Sequence, residues 1–152
     1  MDHPTDRIHI ACPDCRRAVR VPNDRLQESP RCPACHTALL RLEPVELDDA
    51  GLEAFARLND LPVLVDFWAP WCGPCRQYAP VIAEAARKLH GHVVVVKVNS
   101  DTAPRSSAQY GIRSIPTTLL LRNGRELARL SGAVPTPELM RFVAHHLGGP
   151  QG

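Results

Sequence analysis

The chain has 152 residues, of which 44% are hydrophobic and 22% charged, and its formal net charge at pH 7 is +2. This composition excludes an intrinsically disordered polypeptide, and the near-balanced charge argues against a polyanion-binding protein. The longest aliphatic run, residues 93–96, is well short of the roughly 18 apolar residues that cross a membrane. Residues 1–10 contain Asp2 and Asp6 and no apolar run, so we expect no secretory signal and a cytoplasmic location.

The cysteines and the aromatic residues are unevenly distributed along the chain. All six cysteines form Cys-x-x-Cys pairs, two of which lie in the first 42 residues, whereas all seven aromatic residues lie after residue 54. A segment of about 40 residues buries too little surface to fold alone and usually needs a metal ion or disulfides. We therefore predict an N-terminal module over residues 1–42, a globular domain over residues 43–148 and a flexible tail over residues 149–152.

Hydrophobic periodicity and turn signals define the elements of both parts. The apolar run 63–68 is typical of a central strand buried on both faces, and Asn123-Gly124 is a strong hairpin signal. In the N-terminal module we predict one strand, over 18–21. The first half of the larger domain is predicted to contain a strand over 44–47, a helix capped by Asp48 or Asp49 and ending near 58, a strand over 63–68 and a helix over 73–90. The second half is predicted to contain a strand over 93–98, a short helix over 104–110, strands over 117–121 and 126–130, and a helix capped by Thr136. This order predicts an α/β fold whose sheet is mostly parallel at first and closed by an antiparallel hairpin.

The third cysteine pair lies in Trp71-Cys72-Gly73-Pro74-Cys75, between a predicted central strand and a helix. Free N–H groups at a helix N-terminus favour the thiolate of Cys72, which we predict to be the nucleophile. Cys75, one turn further on, is then the resolving thiol. Half a metal site and a pair of inert core cysteines are the alternatives. The Gly-Pro turn and the absence of further ligands nearby favour a redox dithiol.

The segment Phe67-Trp68-Ala69-Pro70-Trp71-Cys72-Gly73-Pro74-Cys75 resembles the active-site segment of thioredoxins, and the resemblance extends over roughly residues 43–147. It implies the thioredoxin fold, a mixed central sheet flanked by helices. It also implies site residues, namely Asp66 as a buried acid beneath the resolving cysteine, Lys97 as its neighbour, Pro80 as the proline that kinks the active-site helix, and Trp71, Gly73, Pro74, Ile115, cis-Pro116 and Gly132 as the substrate-binding surface. Tyr78 departs from the family pattern, in which this helix position is more often aliphatic or Phe.

Asp66 and Lys97 also have a physical interpretation that does not depend on the resemblance. Asp66 lies in an apolar strand, where burial raises the pKa of a carboxyl and suits it for proton exchange with Cys75. Lys97 is one of only two lysines, against 16 arginines, and lies in an otherwise aliphatic strand. A structural Asp66–Lys97 pair, or a Lys97 side chain that extends to solvent, is the alternative.

The first two cysteine pairs have the spacing of a four-cysteine zinc ribbon, with 16 residues between them. The predicted ligands of one structural Zn²⁺ are Cys12, Cys15, Cys32 and Cys35. Disulfides within the pairs are an alternative, although a reducing compartment disfavours them. His36 completes a Cys-x-x-Cys-His haem-attachment pattern, which would leave the first pair unexplained. A nucleic-acid-binding ribbon is disfavoured because aromatic stacking residues are absent and zinc thiolates would cancel the excess of arginine.

The zinc ribbon narrows the resemblance to the zinc-binding thioredoxin-2 type of bacteria. The resemblance implies a reductase of protein disulfides that receives electrons from NADPH through thioredoxin reductase and binds no organic cofactor. We expect a monomer that binds neither nucleic acid nor membranes. An isomerase or oxidase of the same fold, and a binding adaptor built on this scaffold, remain alternatives, as does a redox-sensing role for the zinc.

Overall fold

A five-stranded mixed sheet forms the centre of the structure, a computed structural model that describes residues 6–148. The elements are β1 (Arg7–Ala11), β2 (Ala18–Pro22), a 3₁₀ turn (Asn23–Arg25), β3 (Val45–Leu47), α1 (Asp49–Leu58), β4 (Val63–Trp68), α2 (Gly73–Lys88), β5 (Val94–Asn99), α3 (Pro104–Gln109), β6 (Thr117–Arg122), β7 (Arg125–Ser131) and α4 (Thr136–His146). Every element predicted after residue 43 is present in the expected order. The predicted tail, residues 149–152, lies outside the described residues.

The sheet has the order β3-β5-β4-β6-β7, with β4 at its centre. β5 pairs in parallel with both β3 and β4, whereas β6 is antiparallel to β4 and β7 is antiparallel to β6. Asn123 and Gly124 connect β6 to β7 with φ angles of 54° and 78°, as a type I′ hairpin turn requires. The predicted α/β architecture, parallel at first and closed by a hairpin, is confirmed.

Alternate residues of β4 face two separate hydrophobic clusters. Val65 and Phe67 pack with Leu52 and Phe55 of α1 on one side of the sheet. Leu64 packs on the other side, in the cluster that α2 and α4 form over the sheet. Because side chains alternate along a strand, Asp66 lies on the same face as Leu64, beneath α2.

The two predicted helix caps have different outcomes. Asp48 caps α1, since its Oδ1 accepts a hydrogen bond from the Gly51 N–H at 2.8 Å. The predicted cap at Thr136 is wrong, because α4 begins at that residue and follows Pro135 without a side-chain cap. The Thr136 hydroxyl instead donates to Glu84 Oε1 of α2 at 3.0 Å, and so connects the two helices on that face of the sheet.

The N-terminal module (residues 1–42, described from residue 6) forms a β1–β2 hairpin with its own small hydrophobic cluster. The sequence predicted β2 but not β1, although Ile8 and Ile10 alternate with polar neighbours. This short segment, expected to bury too little surface to fold alone, does contain a hydrophobic cluster, which is completed by two residues of the larger domain, Leu61 and Val94. Its buried members are Ile10, Cys12, Val19, Val21, Leu26, Cys32, Leu39 and Leu40.

Polar contacts also hold the module against the end of α1. The Ala11 N–H donates to Oδ1 of Asn59 at 3.0 Å, and Asn59 is buried. The backbone N–H groups of His9 and Asp60 donate to the Asp60 carboxylate and the His9 carbonyl, respectively.

Within residues 6–148, no helix combines the length and the hydrophobicity needed to cross a bilayer.

Candidate functional site

The dithiol segment connects the central strand to a helix N-terminus. β4 ends at Trp68, and Cys72 is the N-cap residue of α2. The Cys72 Sγ accepts a hydrogen bond from the Cys75 N–H at 3.1 Å, and the two cysteines are joined by a disulfide with their Cα atoms 5.2 Å apart. Pro74 lies in the first turn of α2, where its missing N–H leaves no helical hydrogen bond unmade. The sequence therefore forms the local geometry that a reactive dithiol at a helix N-terminus needs.

Trp71 provides an exposed apolar surface beside the disulfide. Both sulfur-bearing residues are 4% exposed, whereas Trp71 is 67% exposed. The Trp71 Nε1 donates to Asp101 Oδ2 at 2.9 Å, which holds the ring in place. Trp68, by contrast, packs against the buried cluster around the two cysteines. Trp71 is therefore accessible to another molecule, whereas Trp68 is a packing residue.

The loop before β6 faces the disulfide from the other side. The Ile115–Pro116 peptide bond is cis, and the Cys72 Sγ lies 3.9 Å from the Ile115 carbonyl oxygen. Gly132 has a φ of 87° and donates its N–H to the Pro116 carbonyl at 2.9 Å. The structure thus brings this loop and Gly132 together, next to Cys72. An open groove runs from Trp71 along this loop and is lined by Trp71, Ser100, Ser107, Ile112, Arg113, Ser114 and Ile115.

Asp66 is buried on the sheet face that α2 covers. Its side chain is 1% exposed, and within residues 6–148 its Oδ1 has no hydrogen-bond partner. Desolvation by burial raises the pKa of Asp66 to about 7, against the opposing effect of the Lys97 charge. The predicted direction of this pKa shift agrees with the structure. No side chain or backbone group among the described residues therefore fixes Oδ1 by a hydrogen bond.

Lys97 stands opposite Asp66 in the parallel pairing of β4 and β5. Its Nζ lies 4.6 Å from the centroid of the Trp68 ring, which is a cation–π distance. The side chain is half-buried rather than extended into solvent. Lys97 therefore acts on Asp66 through its charge, while its ammonium group packs against Trp68.

Two buried hydroxyl groups near Asp66 were not predicted as part of the site. The Tyr78 hydroxyl lies 2.8 Å from Thr118 Oγ1, and neither side chain is exposed. The sequence signal that could have indicated this pair was a Thr in the otherwise aliphatic strand 118–121 together with a Tyr on the buried face of α2. Pro80, which was predicted to kink this helix, lies inside α2.

The Sγ atoms of the four cysteines of the N-terminal module lie close enough together to hold one metal ion. Their Sγ atoms all lie within 4.8 Å of one another. Two of the separations are 3.5 Å, between Cys12 and Cys35, and 3.8 Å, between Cys15 and Cys32. Four thiolates at Zn–S distances of about 2.3 Å would have sulfur atoms roughly 3.8 Å apart. The residues present therefore fit a Zn²⁺ ion.

The two Cys-Pro-x-Cys turns that build this cluster have the same backbone structure. In each, the residue after the second cysteine has a positive φ, 66° at Arg16 and 68° at His36. The N–H groups of these two residues donate to the carbonyls of Cys12 and Cys32, at 2.9 and 2.8 Å. His36 thus occupies the position that Arg16 has in the other turn, which explains its place after the cysteine without a role as a ligand.

Backbone hydrogen bonds and burial have opposite effects on these thiols. The Arg17 backbone lowers the pKa of Cys15 to about 6, and the Cys35 backbone lowers the pKa of Cys32. Burial raises the pKa of Cys12 to about 12. Cys15 is thus easily ionised near neutral pH, whereas Cys12 would need the charge of a bound cation.

A strand that leads into a Cys-x-x-Cys pair at a helix N-terminus, with a cis-proline loop opposite, defines a thiol–disulfide oxidoreductase with the thioredoxin fold. Known proteins agree, since residues 44–145 match the family described as Thioredoxin. Thioredoxin C-3 of Corynebacterium nephridii is 44% identical over 143 residues, which are 94% of this chain and 98% of that protein. The thioredoxin of Haemophilus influenzae is 45% identical over 105 residues, 69% of this chain and 98% of that protein. The chain belongs to the thioredoxin family.

The similarity to thioredoxin C-3 also concerns the N-terminal module. It covers 143 of the 152 residues, so it must include most of the first 42. The similarity to the Haemophilus influenzae protein covers only 105 residues of the chain. The four clustered cysteines are consistent with the zinc-binding thioredoxin-2 type within the family.

Proposed function

We propose that the protein reduces disulfide bonds of other proteins, with Cys72 as the nucleophile and Cys75 as the resolving thiol. The observation that carries this proposal is the position of Cys72 as the N-cap residue of α2. Its Sγ faces the Cys75 N–H, and the exposed Trp71 and the Ile115 loop lie beside it. A partial positive charge at a helix N-terminus favours the thiolate, which is the reactive form.

The reaction transfers two electrons from the dithiol to the substrate. The Cys72 thiolate attacks one sulfur of the substrate disulfide, which breaks that bond, releases one substrate thiolate and forms a mixed disulfide. Cys75 then loses its proton and attacks the Cys72 sulfur, which releases the second substrate thiolate. The products are the Cys72–Cys75 disulfide and a substrate dithiol, which takes up two protons. The electrons are replaced from NADPH through thioredoxin reductase.

Asp66 is the proposed acceptor of the Cys75 proton. It lies on the sheet face covered by α2, the helix that carries Cys75, and its pKa of about 7 allows it to take up and release a proton near neutral pH. Lys97 is proposed to limit that pKa through its charge.

The substrate-binding surface is proposed to combine apolar contact with backbone hydrogen bonding. The exposed face of Trp71 supplies apolar area, and the backbone polar groups at Ile115 can pair with an extended segment of the substrate. Gly73, Pro74, Pro116 and Gly132 complete the surface. Their small or rigid side chains allow a close approach of the substrate backbone.

The N-terminal module, residues 1–42, is proposed to bind one structural Zn²⁺ through Cys12, Cys15, Cys32 and Cys35. The sulfur geometry supports four protein ligands, which leaves no coordination position for catalysis. Reduced cysteines at these positions fit a cytoplasmic protein, because an oxidising compartment would favour disulfides. We further infer that residues 43–148 form the catalytic domain and that the protein acts as a monomer.

Trapping of the mixed disulfide tests the proposed reductase. Without the resolving thiol, Cys75→Ser should accumulate covalent adducts with a disulfide-containing protein, and a reducing agent should release them. Cys72→Ser is the matched control and should form none. An absence of adducts in Cys75→Ser, with the Cys72 thiol shown to react with a small alkylating agent, would refute the proposal.

A further inference from the structure

The buried hydroxyl pair of Tyr78 and Thr118 lies next to Asp66, and the reaction proposed above does not use it. Thr118 stands directly opposite Asp66 in the antiparallel pairing of β4 and β6. Residues opposed in this way point to the same face of a sheet, with their Cβ atoms roughly 5 Å apart. The Tyr78 hydroxyl, 2.8 Å from Thr118 Oγ1, approaches from α2. The hydroxyl pair therefore borders Asp66 on its β6 side.

The β5 side of Asp66 presents a charge instead of a hydroxyl. Lys97 is its partner there, and Glu46 of β3 pairs with Lys97 one strand further. Within the described residues, Asp66 Oδ1 accepts no hydrogen bond from any of these elements. The titratable or charged groups that surround this region are Lys97 on β5, Glu46 on β3, Tyr78 and Cys75 on α2, Cys72 at its N-cap, and Glu138 on α4.

Two hydroxyl groups that are hydrogen-bonded to each other can still donate one hydrogen bond to a third group. Each hydroxyl donates one proton and accepts at two lone pairs, so Tyr78 can donate to Thr118 and leave the Thr118 proton free. Burial raises the pKa of Tyr78 to about 12, and the charge of Asp66 contributes in the same direction. The phenol therefore keeps its proton over the whole range in which Asp66 titrates.

We propose that Thr118 and Tyr78 are positioning residues that stabilise the ionised form of Asp66. When Asp66 loses its proton, Tyr78 donates to Thr118, and the Thr118 hydroxyl turns across the strand pair towards the carboxylate. A hydrogen bond to the charged form favours that form and opposes the effect of burial. When Asp66 is protonated, the hydroxyl pair is free to reverse its direction.

The pair would keep the proton equilibrium of Asp66 close to neutral pH inside a fully buried site. Its importance for turnover rests on the proposed role of Asp66 as the acceptor of the Cys75 proton. The protonation equilibrium itself can be measured in the oxidised protein, which does not turn over. The two proposals can therefore fail separately.

The test is the carboxyl titration of Asp66, followed by carbon-13 NMR in the oxidised full-length protein. Thr118→Val keeps the side-chain shape but removes the hydroxyl, so the midpoint should rise by about 1 pH unit, as expected for the loss of one hydrogen bond to a buried charged group. Tyr78→Phe should shift it in the same direction, because Thr118 loses its donor. Thr118→Ser should retain the wild-type midpoint.

Tyr110→Phe is the control for the loss of a phenol hydroxyl from a partly buried tyrosine away from Asp66. Its ring contacts Phe67, whose side chain lies on the opposite face of β4 from Asp66, so its midpoint should equal that of the wild type. An unchanged Asp66 midpoint in Thr118→Val would overturn the inference. If Thr118→Val does not fold, an unchanged Asp66 midpoint in Tyr78→Phe would overturn the inference instead.

The trapping experiment distinguishes this inference from the proposed function. A shifted midpoint together with no trapped adduct in Cys75→Ser would refute the reductase and leave the hydroxyl pair as a determinant of the Asp66 equilibrium. Trapped adducts together with an unchanged Asp66 midpoint in Thr118→Val would support the reductase and refute the role of the hydroxyl pair. If both proposals are correct, the pH midpoint for release of the mixed disulfide should shift in Thr118→Val by the same amount as the titration midpoint of Asp66.

Discussion

Asn59 connects the N-terminal module to the end of α1, and its truncation tests how firmly the module is held. The side chain is 2% exposed. Its Oδ1 accepts from the Ala11 N–H at 3.0 Å, and its Nδ2 donates to the Phe55 carbonyl at 3.2 Å. Ala11 is itself buried, so water cannot easily replace the lost acceptor. The substitution considered is Asn59→Ala.

The two hydrogen bonds of Asn59 differ in their consequences. The Phe55 carbonyl keeps a second donor, the backbone N–H of Asn59, at 3.2 Å. The Ala11 N–H would lose its acceptor, and an unpaired buried donor costs about 1–3 kcal/mol. We therefore expect the free energy of opening of the module to fall by about 2 kcal/mol, which raises the open population by about 30-fold.

Amide hydrogen exchange of the zinc-loaded protein measures this opening. The β1 amides should exchange about 30-fold faster in Asn59→Ala, while those of β4 should keep the wild-type rate. Asn23→Ala, which alters an exposed asparagine of the same module, is the matched control and should change neither rate. Equal acceleration in β1 and β4, or unchanged exchange in β1, would refute the reasoning.

The remaining predictions concern Asp66 and the cysteine cluster. Because the pKa of Asp66 is raised in the folded state, its burial costs stability as pH rises from about 4 to about 7. Asp66→Asn should therefore unfold with a free energy up to about 4 kcal/mol above wild type at pH 8 and close to it at pH 4, as urea titrations can show. If the difference in unfolding free energy between Asp66→Asn and the wild type did not change with pH, the prediction would be wrong. Cys12→Ser should lose bound zinc and speed amide exchange within residues 6–42, yet keep the rate of disulfide reduction, and loss of that rate would show that the two parts are coupled.

Much of the larger domain could be predicted because single short segments carry strong signals. The apolar run 63–68 is long enough to identify a central strand, and Asn123-Gly124 requires the positive φ angles that the hairpin turn shows. The N-terminal position of Cys72 on α2 followed from the change of period between strand and helix. The burial of Asp66 followed from its apolar neighbours alone.

What could not be predicted depends on contacts between distant segments. The module's cluster needs Leu61 and Val94, which nothing in the first 42 residues indicates. The Tyr78–Thr118 hydrogen bond joins residues 40 positions apart, and neither is informative by itself. Thr136 fits the sequence rule for an N-cap, but its hydroxyl contacts Glu84 of another helix, so a tertiary contact replaced the local one.

Cys72 is both the proposed nucleophile and the N-cap of α2, so the proposed reaction and the stability of this helix depend on the same hydrogen bond. Ser, Thr, Asp or Asn at this position would accept the same N–H permanently, and such caps contribute about 0.5–2 kcal/mol. A thiolate is a stronger acceptor than a disulfide sulfur, so the Cys75 N–H gains its best partner only in the reduced protein. We therefore expect the first turn of α2 to be more stable in the reduced protein than in the oxidised protein. The stability of this turn would then depend on the redox state of the dithiol.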